Sequence, residues 1–595
     1  MLNRLGATRW ATTLPRRAPT HYAPLRTAPS TTRLGSTAAR PRTAGGRRWM
    51  VAGALGLATA GVLAYDKEYN ADAISRSLRT AVFGITLAAD FKLNFDPNKP
   101  DQVDALHERT ARRLGDLINV NGGMYIKLGQ ALAIQAAILP KPYRDALASV
   151  FDSAPNIEWD EVVRVFRGEF GVDPEEAFDH FDRTPVASAS IAQVHRARLK
   201  PVGGRSWKED EGWVAVKVRK EAVPKQMELD LFCYRALLWT YQRLFDLPVA
   251  FISRYISDQM RMEADLKHEA YNAERTARYL ADEPSLRDRA MVPRVHWRWT
   301  GESIMTADYV TACRLTDKDR IAAANISLKQ VMDTATELFS AMVFKWGFVH
   351  ADPHPGNILV RAHPQRPSQP QVVLVDHGLY VDLPEAFRHE YCLLWRSLFV
   401  GDVKSIEDIA VKWGIRRQNA DIFASLTLLR PHRLRKKKPE DENKVVSRQE
   451  QQASLKERLK TMLESEELIP LELILLSRAM RMMQGNNQSV GSPTNRINIL
   501  AHWAATGLAI STPDHAHTLR VLGLRTYAIE KLRLVIFRVV LAFVDVGFVL
   551  TRVRAWVQER MGNKVEGLED LLQKQVTDMA RKEFGVELED SAFTG

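Results

Sequence analysis

The sequence predicts an α+β fold in which a strand-containing middle part lies between two helical parts. Apolar residues recur at helical spacing over residues 70–150 and again beyond Pro384. Between these parts, the valine-rich runs at residues 214–218 and 372–375 are typical of buried strands.

The chain has 595 residues, of which 45% are hydrophobic and 26% are charged. This composition suits a globular protein of roughly two to four domains and excludes wholesale disorder, collagen and a multispan membrane protein.

Residues 1–48 have the composition of a mitochondrial transit peptide. The segment is rich in Arg, Ser, Thr, Ala and Pro, and the first acidic residue of the chain is Asp66. This combination is typical of transit peptides, whereas a secretory signal would have its apolar core near the start of the chain. A disordered basic arm is the alternative interpretation.

Residues 49–65 form an uncharged run of 17 residues between Arg47 and Arg48 on one side and Asp66 and Glu68 on the other. This length is close to the lower limit for a membrane-crossing helix, and aromatic residues at both ends are typical of membrane interfaces. The run therefore predicts one short transmembrane helix, with a linker rich in Gly and Ala or a buried helix as the alternative. In the mitochondrial inner membrane, the basic side would stay in the matrix and the body would face the intermembrane space.

The net charge of +12 comes almost wholly from the N-terminal tail. Residues 1–65 contain ten Arg and no Lys, Asp or Glu, so the rest of the chain carries only about +2. A body that binds nucleic acid would keep its positive charge without the tail, so we expect no nucleic-acid partner. The three cysteines lie far apart in the sequence and predict neither a disulfide framework nor a zinc site.

Four regions are predicted after the apolar run. A helical extension covers residues 70–150, and a lobe that contains strands covers residues 151–308. A mainly helical lobe follows over residues 309–500, and a C-terminal helical region covers residues 501–595. Within the first lobe, residues 224–282 are predicted to be helical.

Two features of the later regions stand out. The apolar runs at residues 358–360 and 372–375 predict a hairpin around a Pro-rich loop. Residues 532–552 are strongly apolar but include four charged residues: Arg533, Arg538, Asp545 and Arg552. These charges favour a packed or interfacial amphipathic helix over a second membrane span.

The most specific motif is HADPHPGN at residues 350–357. Asp352 and Asn357 lie five residues apart before a short predicted strand, which is the spacing of a kinase catalytic loop. In that chemistry, the Asp orients or deprotonates the attacking hydroxyl and the Asn holds a metal ion. His354, within the same motif, is expected to have a packing role.

Asp376 follows the next predicted strand and precedes His377 and Gly378. An Asp in such a turn binds the Mg²⁺ that bridges nucleotide phosphates in kinases. His377 stands where Phe is usual, and we expect it to pack rather than to catalyse.

Upstream, Lys217 ends the run VAVK and matches the strand lysine that contacts the α and β phosphates in kinases. The tetrapeptide alone is weak evidence for this role. The assignment is supported by its position in the chain before the two Asp motifs, which is the order found in kinases.

A lysine in this role needs a carboxylate partner on a helix, and Glu263, Asp265 and Glu269 are the candidates. At about 100° per residue, Asp265 and Glu269 share a helical face, whereas Glu263 and Glu269 are about 120° apart. We therefore expect two carboxylate sets with two different partners. A solvated acidic face is the alternative.

Small residues replace the Gly-rich loop that covers the phosphates in a kinase. They are Ala187, Ser188, Ala189 and Ser190. Small residues permit close approach of the backbone, but Ala cannot adopt the conformations open only to Gly. Nucleotide preference and turnover should therefore differ from those of an ordinary kinase. A second unusual feature is the pair Lys127 and Gln130, which share one helical face next to Gly129.

Together, these motifs resemble the UbiB family of atypical kinase-like proteins, also called aarF-domain-containing kinases. The resemblance covers residues 122–378, from the Lys-Leu-Gly-Gln motif at Lys127 to the Asp376 turn. The Asp-His-Gly form of that turn and residues 75–95 resemble the fungal mitochondrial branch linked to lipid and coenzyme Q homeostasis.

The resemblance implies a protein-kinase-like bilobal fold with an added N-terminal helical layer. In that layer, Lys127 and Gln130 would lie over the active site as autoinhibitory residues, and Lys127 would meet Glu263 and Asp265. The resemblance also implies that Lys217 and Asp352 are catalytic. ATP would be bound by Ala187, Ser188, Ala189 and Ser190 together with Lys217 and Glu269. Mg²⁺ would be bound by Asn357 and Asp376.

The implied activity is ATP hydrolysis or small-molecule phosphotransfer coupled to lipid or quinone handling. Membrane lipids, cardiolipin, or coenzyme Q and its intermediates would be the partners. A nucleotide-sensing pseudokinase scaffold and a protein kinase are the two alternatives. The chain reaches Leu383-Pro-Glu385 within nine residues of Asp376. This short segment offers little platform for a peptide substrate and disfavours ordinary protein kinase activity.

Overall fold

The computed structural model describes most of the chain between residues 44 and 561. The described ranges are 44–96, 99–134, 141–148, 156–201, 207–245, 250–415, 470–511 and 515–561, with single residues between 417 and 427 and at 574. Most of the predicted transit peptide, up to residue 43, lies outside these ranges. The chain forms two compact units, residues 1–61 and 62–595. The predicted domain boundaries within the second unit stay predictions.

The described part of the chain contains seventeen α-helices and eleven strands. The helices are α1 (Ala44–Tyr69), α2 (Ala73–Asn94), α3 (Pro100–Asn121), α4 (Met124–Ile134), α5 (Lys141–Ala148), α6 (Trp159–Phe170), α7 (Pro174–Ala177), α8 (Ala222–Phe245), α9 (Ala250–Glu263), α10 (Leu266–Ala281), α11 (Lys318–Ala323), α12 (Leu328–Ala341), α13 (Glu385–Val400), α14 (Val403–Lys412), α15 (Leu471–Ser489), α16 (Arg496–Ser511) and α17 (His515–Arg560). A π-helical turn, Met342–Trp346, continues α12.

The structure does not support the predicted transmembrane helix at residues 49–65. This segment lies within the 26-residue helix α1. Over the ranges given above, no helix combines the length and the apolar character needed to cross a membrane. Eight of the 17 residues of the segment are Ala or Gly, which contribute little apolar surface.

The N-terminal helical layer consists of α2 to α5, and α2 packs against α3 and α8. The helical pattern predicted over residues 70–150 is interrupted where Gly122 and Gly123 adopt φ angles of 60° and 49°. Glycine adopts this left-handed backbone conformation without the steric penalty of a side chain, so the chain turns here between α3 and α4. The layer is tied to the body by Arg76 of α2, whose guanidinium pairs with Asp230 of α8.

The first lobe contains an antiparallel sheet of five strands: β1 (Phe178–Phe181), β2 (Ala187–Ser188), β3 (Ala192–Leu199), β4 (Trp213–Arg219) and β6 (Ile304–Asp308). The strand order is β1-β3-β4-β6, and β2 pairs with β3. Alternate residues of β4 are buried, among them Val214, Val216 and Val218, and they pack against α6 through Phe166. Lys217 therefore points to the opposite face of the sheet, because successive side chains alternate along a strand.

The second lobe has two small sheets and a helical core. A four-stranded sheet has the order β5-β10-β9-β7, and β8 pairs with β11. Their ranges are β5 (Ala290–Met291), β7 (Cys313–Arg314), β8 (Phe348–His350), β9 (Ile358–His363), β10 (Arg366–Leu374) and β11 (Tyr380–Asp382). β9 and β10 form the predicted antiparallel hairpin. Beneath these sheets, Phe344, Trp395 and Leu500 belong to one large apolar core.

The segment at residues 532–552 lies in α17 and presents two different faces. Phe537 and Leu541 are buried in the large apolar core, and Phe548 is buried on the same side of the helix. The opposite face carries exposed apolar side chains such as Phe543, which is 72% exposed. The prediction of an amphipathic helix agrees with this arrangement.

The described chain thus forms a kinase-like α+β fold with an N-terminal helical layer.

Candidate active site

Lys217 and Glu269 form an ion pair between the first sheet and α10. The Nζ atom of Lys217 lies 2.8 Å from each carboxylate oxygen of Glu269. Only 3% of the Glu269 side chain is exposed, and only 19% of the Lys217 side chain. Burial alone would lower the pKa of Lys217, but the carboxylates of Asp376 and Glu269 outweigh it and raise that pKa. The lysine is therefore held charged, as a phosphate-binding group must be.

Asp376 lies on the other side of Lys217, with its Oδ2 atom 3.5 Å from Nζ. Its φ angle is 60°, a left-handed conformation that is unusual for a residue with a side chain. The N–H of Gly378 donates to Asp376 Oδ1 at 3.3 Å. Partial desolvation would raise the pKa of Asp376, but the charges of Lys217 and Lys127 outweigh it and hold that pKa below its ordinary value. Asp376 is therefore a carboxylate, and 41% of its side chain is exposed.

Asp352 and Asn357 lie in the same loop and are joined by a hydrogen bond. The amide Nδ2 of Asn357 donates to the Asp352 carbonyl at 3.1 Å. The Asn357 carbonyl accepts from the N–H of Val375, at 2.9 Å, directly before Asp376. This backbone contact brings the catalytic loop beside the Asp376 turn. The two sequence motifs thus meet at one place in the fold.

Two buried histidines stabilise these loops through hydrogen bonds. His350 Nε2 donates to the Asp376 carbonyl at 2.8 Å, and the Asp352 N–H donates to His350 Nδ1 at 3.1 Å. His377 contacts the Tyr380 hydroxyl at 2.9 Å and donates to the Leu374 carbonyl at 3.1 Å. Burial lowers the pKa of His377 to about 3, so the ring is neutral. The expected packing role of His377 agrees with this geometry.

His354 does not pack as expected. Its side chain is 45% exposed, and its Nε2 lies 4.0 Å from Asp352 Oδ2. The Gly356 N–H donates to His354 Nδ1 at 3.0 Å, which turns the ring back over its own loop. The expected packing role of His354 is therefore not seen, because nearly half of the side chain remains exposed.

The Ala-rich loop forms a tight hairpin at β2 and β3. The Ala189 N–H donates to the Ala192 carbonyl at 2.8 Å across the turn. None of the described positive-φ residues lies between 185 and 195, so the hairpin needs no glycine. Ala187 and Ala189 are exposed, Ser188 is half-buried, and the Ser190 hydroxyl is buried without a partner in the described structure. Next to the turn, Ala192 packs in one apolar cluster with α4 and α9.

Lys127 of α4 contacts Glu263, the last residue of α9, through an ion pair. The side chains are 17% and 14% exposed. Burial opposes the charge of Lys127, but Glu263, Asp376 and Asp352 raise its pKa above the ordinary value. The expected contact between Lys127 and Glu263 is present. Gln130 lies on the same helix, and its side chain is outside the described structure.

Asp265 does not join this contact, contrary to the prediction. The predicted helix over residues 224–282 is divided, and Asp265 is the N-cap of α10. Its Oδ1 accepts from the N–H groups of Lys267 and His268 at 3.0 and 3.3 Å. An N-cap Asp satisfies amide groups that the first helical turn leaves unpaired. The prediction of a shared helical face was wrong because Glu263 and Glu269 belong to different helices. The expectation of two carboxylate sets with two different partners agrees with the structure, in which Glu269 pairs with Lys217 and Glu263 pairs with Lys127.

Two residues of the site escaped the sequence reasoning. Arg478 of α15 places Nη2 3.0 Å from Asp352 Oδ1, and Asn486 Nδ2 donates to the Pro353 carbonyl at 2.8 Å. Both lie more than 120 residues beyond the catalytic loop. The one indication in the sequence was an arginine shortly after the apolar run at residues 473–476.

Within the described ranges, no three side chains of His, Cys, Asp or Glu gather as a metal site. Binding of Mg²⁺ would therefore depend on Asp376, on the Asn357 amide and on ligands from the nucleotide. A cavity of about 600 Å³ lies between α12, α16 and α17 and shares no residue with the predicted site. Its Asp333 and Asp545 already bind Thr494 and Asn495, at 2.7 and 2.8 Å.

Comparisons with known proteins identify the family of the chain. The ABC1 atypical kinase-like domain matches residues 149–410. An ABC1 family protein of Schizosaccharomyces pombe is 38% identical over 459 residues, which cover 76% of this chain and 82% of the relative. The ABC1 family protein lscO of Purpureocillium lilacinum is 35% identical, with 72% and 77% covered. An AarF domain-containing kinase 1 of Drosophila melanogaster is 32% identical, with 63% and 72% covered.

These matches extend well beyond the catalytic motifs into the helical parts of the chain. The chain belongs to the ABC1 family of atypical kinase-like proteins, which includes the UbiB and AarF proteins.

Proposed function

We propose that the chain binds Mg-ATP and either hydrolyses it or transfers its terminal phosphoryl group to a small-molecule acceptor. The observation that carries the proposal is the meeting of Lys217, Glu269, Asp352, Asn357 and Asp376 in one cleft. Lys217 lies within 3.5 Å of both Glu269 and Asp376. A complete set of kinase groups in contact supports an active site rather than a degenerate one.

Each residue has a role that follows from its chemistry. Lys217 is held charged and would bind phosphate oxygens. Asp352 would accept a hydrogen bond from the attacking hydroxyl or water and orient its oxygen toward the terminal phosphorus. As the new P–O bond forms, the bond to the leaving ADP oxygen breaks and Asp352 can hold the released proton.

The residues fit a magnesium ion. Asp376 is a partly exposed carboxylate, and Asn357 offers an amide oxygen, since its Nδ2 is the group bound to Asp352. Mg²⁺ prefers oxygen ligands and commonly takes only one or two protein carboxylates together with phosphates. The ion would neutralise the negative charge of the phosphates.

A small acceptor is favoured over a peptide for a structural reason. β11 pairs with β8 directly after the Asp376 turn, so the segment that carries peptide substrates in protein kinases is closed into a short strand. Lys127 of α4 also pairs with Glu263 beside the cleft. Both features narrow the approach to Asp352.

We propose membrane lipids as partners, with the exposed face of α17 as the contact. Apolar side chains recur along it at spacings of three and four residues, including Leu532, Ile536, Val539, Phe543, Val546 and Leu550. Exposed Arg538, Arg554 and Arg560 flank this stripe. An apolar face with basic edges suits an anionic lipid surface such as cardiolipin.

The proposed location is the mitochondrial inner membrane, with the body in the intermembrane space. The support is the acid-free, Arg-rich composition of residues 1–48. Lipid and coenzyme Q homeostasis, as in the fungal mitochondrial branch, is the proposed process. Protease added to mitoplasts should digest the body, whereas its protection in intact mitoplasts would place it in the matrix.

ATP turnover by the purified protein with cardiolipin-containing liposomes tests the activity. Asp376→Asn is the control, because a neutral amide is a poorer ligand for a hard dication. We expect metal-dependent turnover by the wild type and a large loss in the variant. Equal metal-dependent thermal stabilisation by ATP in both proteins would remove Asp376 from the metal site.

Co-sedimentation with the same liposomes tests the lipid contact. Phe543→Asp should weaken binding, because it places a charge in the centre of the stripe. Phe232→Asp is the matched control, since Phe232 is an exposed phenylalanine of α8, 58% accessible. Equal binding by wild type and Phe543→Asp would contradict the proposed contact.

A nucleotide sensor that binds ATP without turnover is the second candidate. The Lys127–Glu263 contact favours it, because Lys127 lies in the field of both Asp352 and Asp376 and could hold the site inactive. Thermal stabilisation by Mg-ATP without phosphate release would support the sensor over the enzyme.

A further inference from the structure

The side chain of Asp352 is held from outside the catalytic loop. Its N–H donates to His350 and its carbonyl accepts from Asn357, so the backbone is fixed on both sides. The carboxylate itself has one direct hydrogen bond in the described structure, from Nη2 of Arg478 to Oδ1 at 3.0 Å. The other oxygen, Oδ2, lies 4.0 Å from His354, which is beyond hydrogen-bond distance. One oxygen is thus restrained and the other is available.

Arg478 is placed at an energetic cost. Its side chain is only 14% exposed, and its Nε atom is buried without a hydrogen-bond partner in the described structure. A buried unsatisfied donor is unfavourable and calls for an explanation in a native structure. The same helix also binds the loop through Asn486 and the Pro353 carbonyl. α15 therefore supports the catalytic loop at two points, and only Arg478 acts on the carboxylate.

We propose that Arg478 is a positioning residue for the catalytic step: its guanidinium fixes Oδ1 of Asp352 so that Oδ2 faces the acceptor hydroxyl. This inference rests on the proposed function. Arg478 lies outside residues 149–410, the part matched by the kinase-like domain. The active site is therefore incomplete without α15.

The test compares Arg478→Ala and Arg478→Lys with wild type in the full chain. Losing the restraint on the carboxylate should lower kcat on the order of 10²-fold, with the KM for ATP and the thermal stabilisation by Mg-ATP unchanged. Lys keeps the charge but not the planar fork of donors, so Arg478→Lys should retain intermediate turnover. Added guanidinium should restore part of the turnover of Arg478→Ala and leave wild type unaffected, which a purely structural role would not produce.

Arg481→Ala is the matched control, because Arg481 is a half-buried arginine one turn further along α15. We expect it to turn over ATP like wild type. An equal loss in both alanine variants would overturn the inference, since α15 would then act through its stability. Wild-type turnover in Arg478→Ala would overturn it as well, and so would loss of nucleotide binding. Absence of turnover in wild type would overturn the proposed activity and this inference together.

Discussion

Lys127 and Glu263 join the N-terminal helical layer to the turn that carries Asp376. Lys127 belongs to α4 and Glu263 ends α9, and their side chains form an ion pair. A Cβ atom placed on Gly378 would lie 3.3 Å from Glu263 Cγ and 3.3 Å from Asp376 Oδ1. Glu263 is thus packed against the turn that carries Asp376. A change at Lys127 can therefore reach the metal site through one side chain.

We expect Lys127→Ala to gain autophosphorylation or promiscuous phosphotransfer and to lose the cellular function. The variant leaves Glu263 without its partner and loosens α4 over the cleft; breaking such a partly buried pair costs up to about 3–5 kcal/mol. Incorporation of labelled phosphate by wild type, Lys127→Ala, Glu263→Ala and the double variant measures the coupling. Lys329→Ala, which breaks a surface pair with Asp333, is the control.

Additive effects in that cycle would show that Lys127 and Glu263 do not interact. Loss of all nucleotide binding in Lys127→Ala would make Lys127 a phosphate ligand and would end the autoinhibitory interpretation.

Gly378→Ala should weaken Mg-ATP binding. The added methyl group would crowd Asp376 and Glu263 at 3.3 Å, closer than most such contacts, so the carboxylate of Asp376, the proposed Mg²⁺ ligand, must shift. Gly168→Ala is the matched control, because a Cβ atom there meets no atom within 4 Å. Isothermal titration with Mg-ATP should show lower affinity only for Gly378→Ala. Unchanged affinity would mean that the turn can relax without moving Asp376.

Arg76→Ala should destabilise the protein by about 3–5 kcal/mol, because it leaves the carboxylate of Asp230 buried without its partner. Arg76 is 4% exposed and Asp230 is fully buried. The double variant Arg76→Met, Asp230→Leu should recover most of the loss, since it removes both charges. Chemical denaturation measures the free energies of unfolding. A double variant as unstable as Arg76→Ala would indicate that packing, rather than charge, is responsible.

Asp90→Asn should lower stability at neutral pH and have little effect in acid. Hydrogen bonds from Arg109 and Arg113 hold the pKa of Asp90 near 2, below its ordinary value. The ionised form therefore stabilises the fold above about pH 4, and this contribution disappears as the pH falls toward 2. We expect a difference of about 1–2 kcal/mol at pH 7 that shrinks by pH 3.

Asp258→Asn is the control for this prediction. Asp258 also pairs with an arginine, but 59% of its side chain is exposed, so its effect should be small at every pH. A loss of stability in Asp90→Asn that does not change with pH would mean that the carboxylate charge is not the cause.

The sequence was most informative where chemistry depends on neighbours along the chain. The spacing of Asp352 and Asn357, the strand around Lys217 and the turn at Asp376 are local patterns, and the structure brings them together. The helix break at Asp265 was missed because a single N-cap interrupts a continuous helical pattern. The same residue type would be unremarkable within a helix, so the pattern alone could not decide.

Arg478 could not be predicted because its role depends on a contact across 126 residues of sequence. Nothing in its immediate neighbours distinguishes it from Arg481, and only the packing of α15 against the catalytic loop selects it. The division between α3 and α4 was missed for a related reason. Paired glycines can be tolerated in a helix or can end it, and tertiary packing decides between the two outcomes.

The pairing of β11 with β8 has a consequence for how this protein could be switched. Residues 377–384 contain one hydroxyl side chain, that of Tyr380, which is only 8% exposed and hydrogen-bonded to Thr276 and His377. A modifying enzyme would find no accessible acceptor there. Residues 377–384 therefore offer no acceptor for the kind of covalent activation that reorders a long loop at this place in protein kinases. We expect control at this site to act instead through the contact between α4 and α9 that Lys127 and Glu263 form.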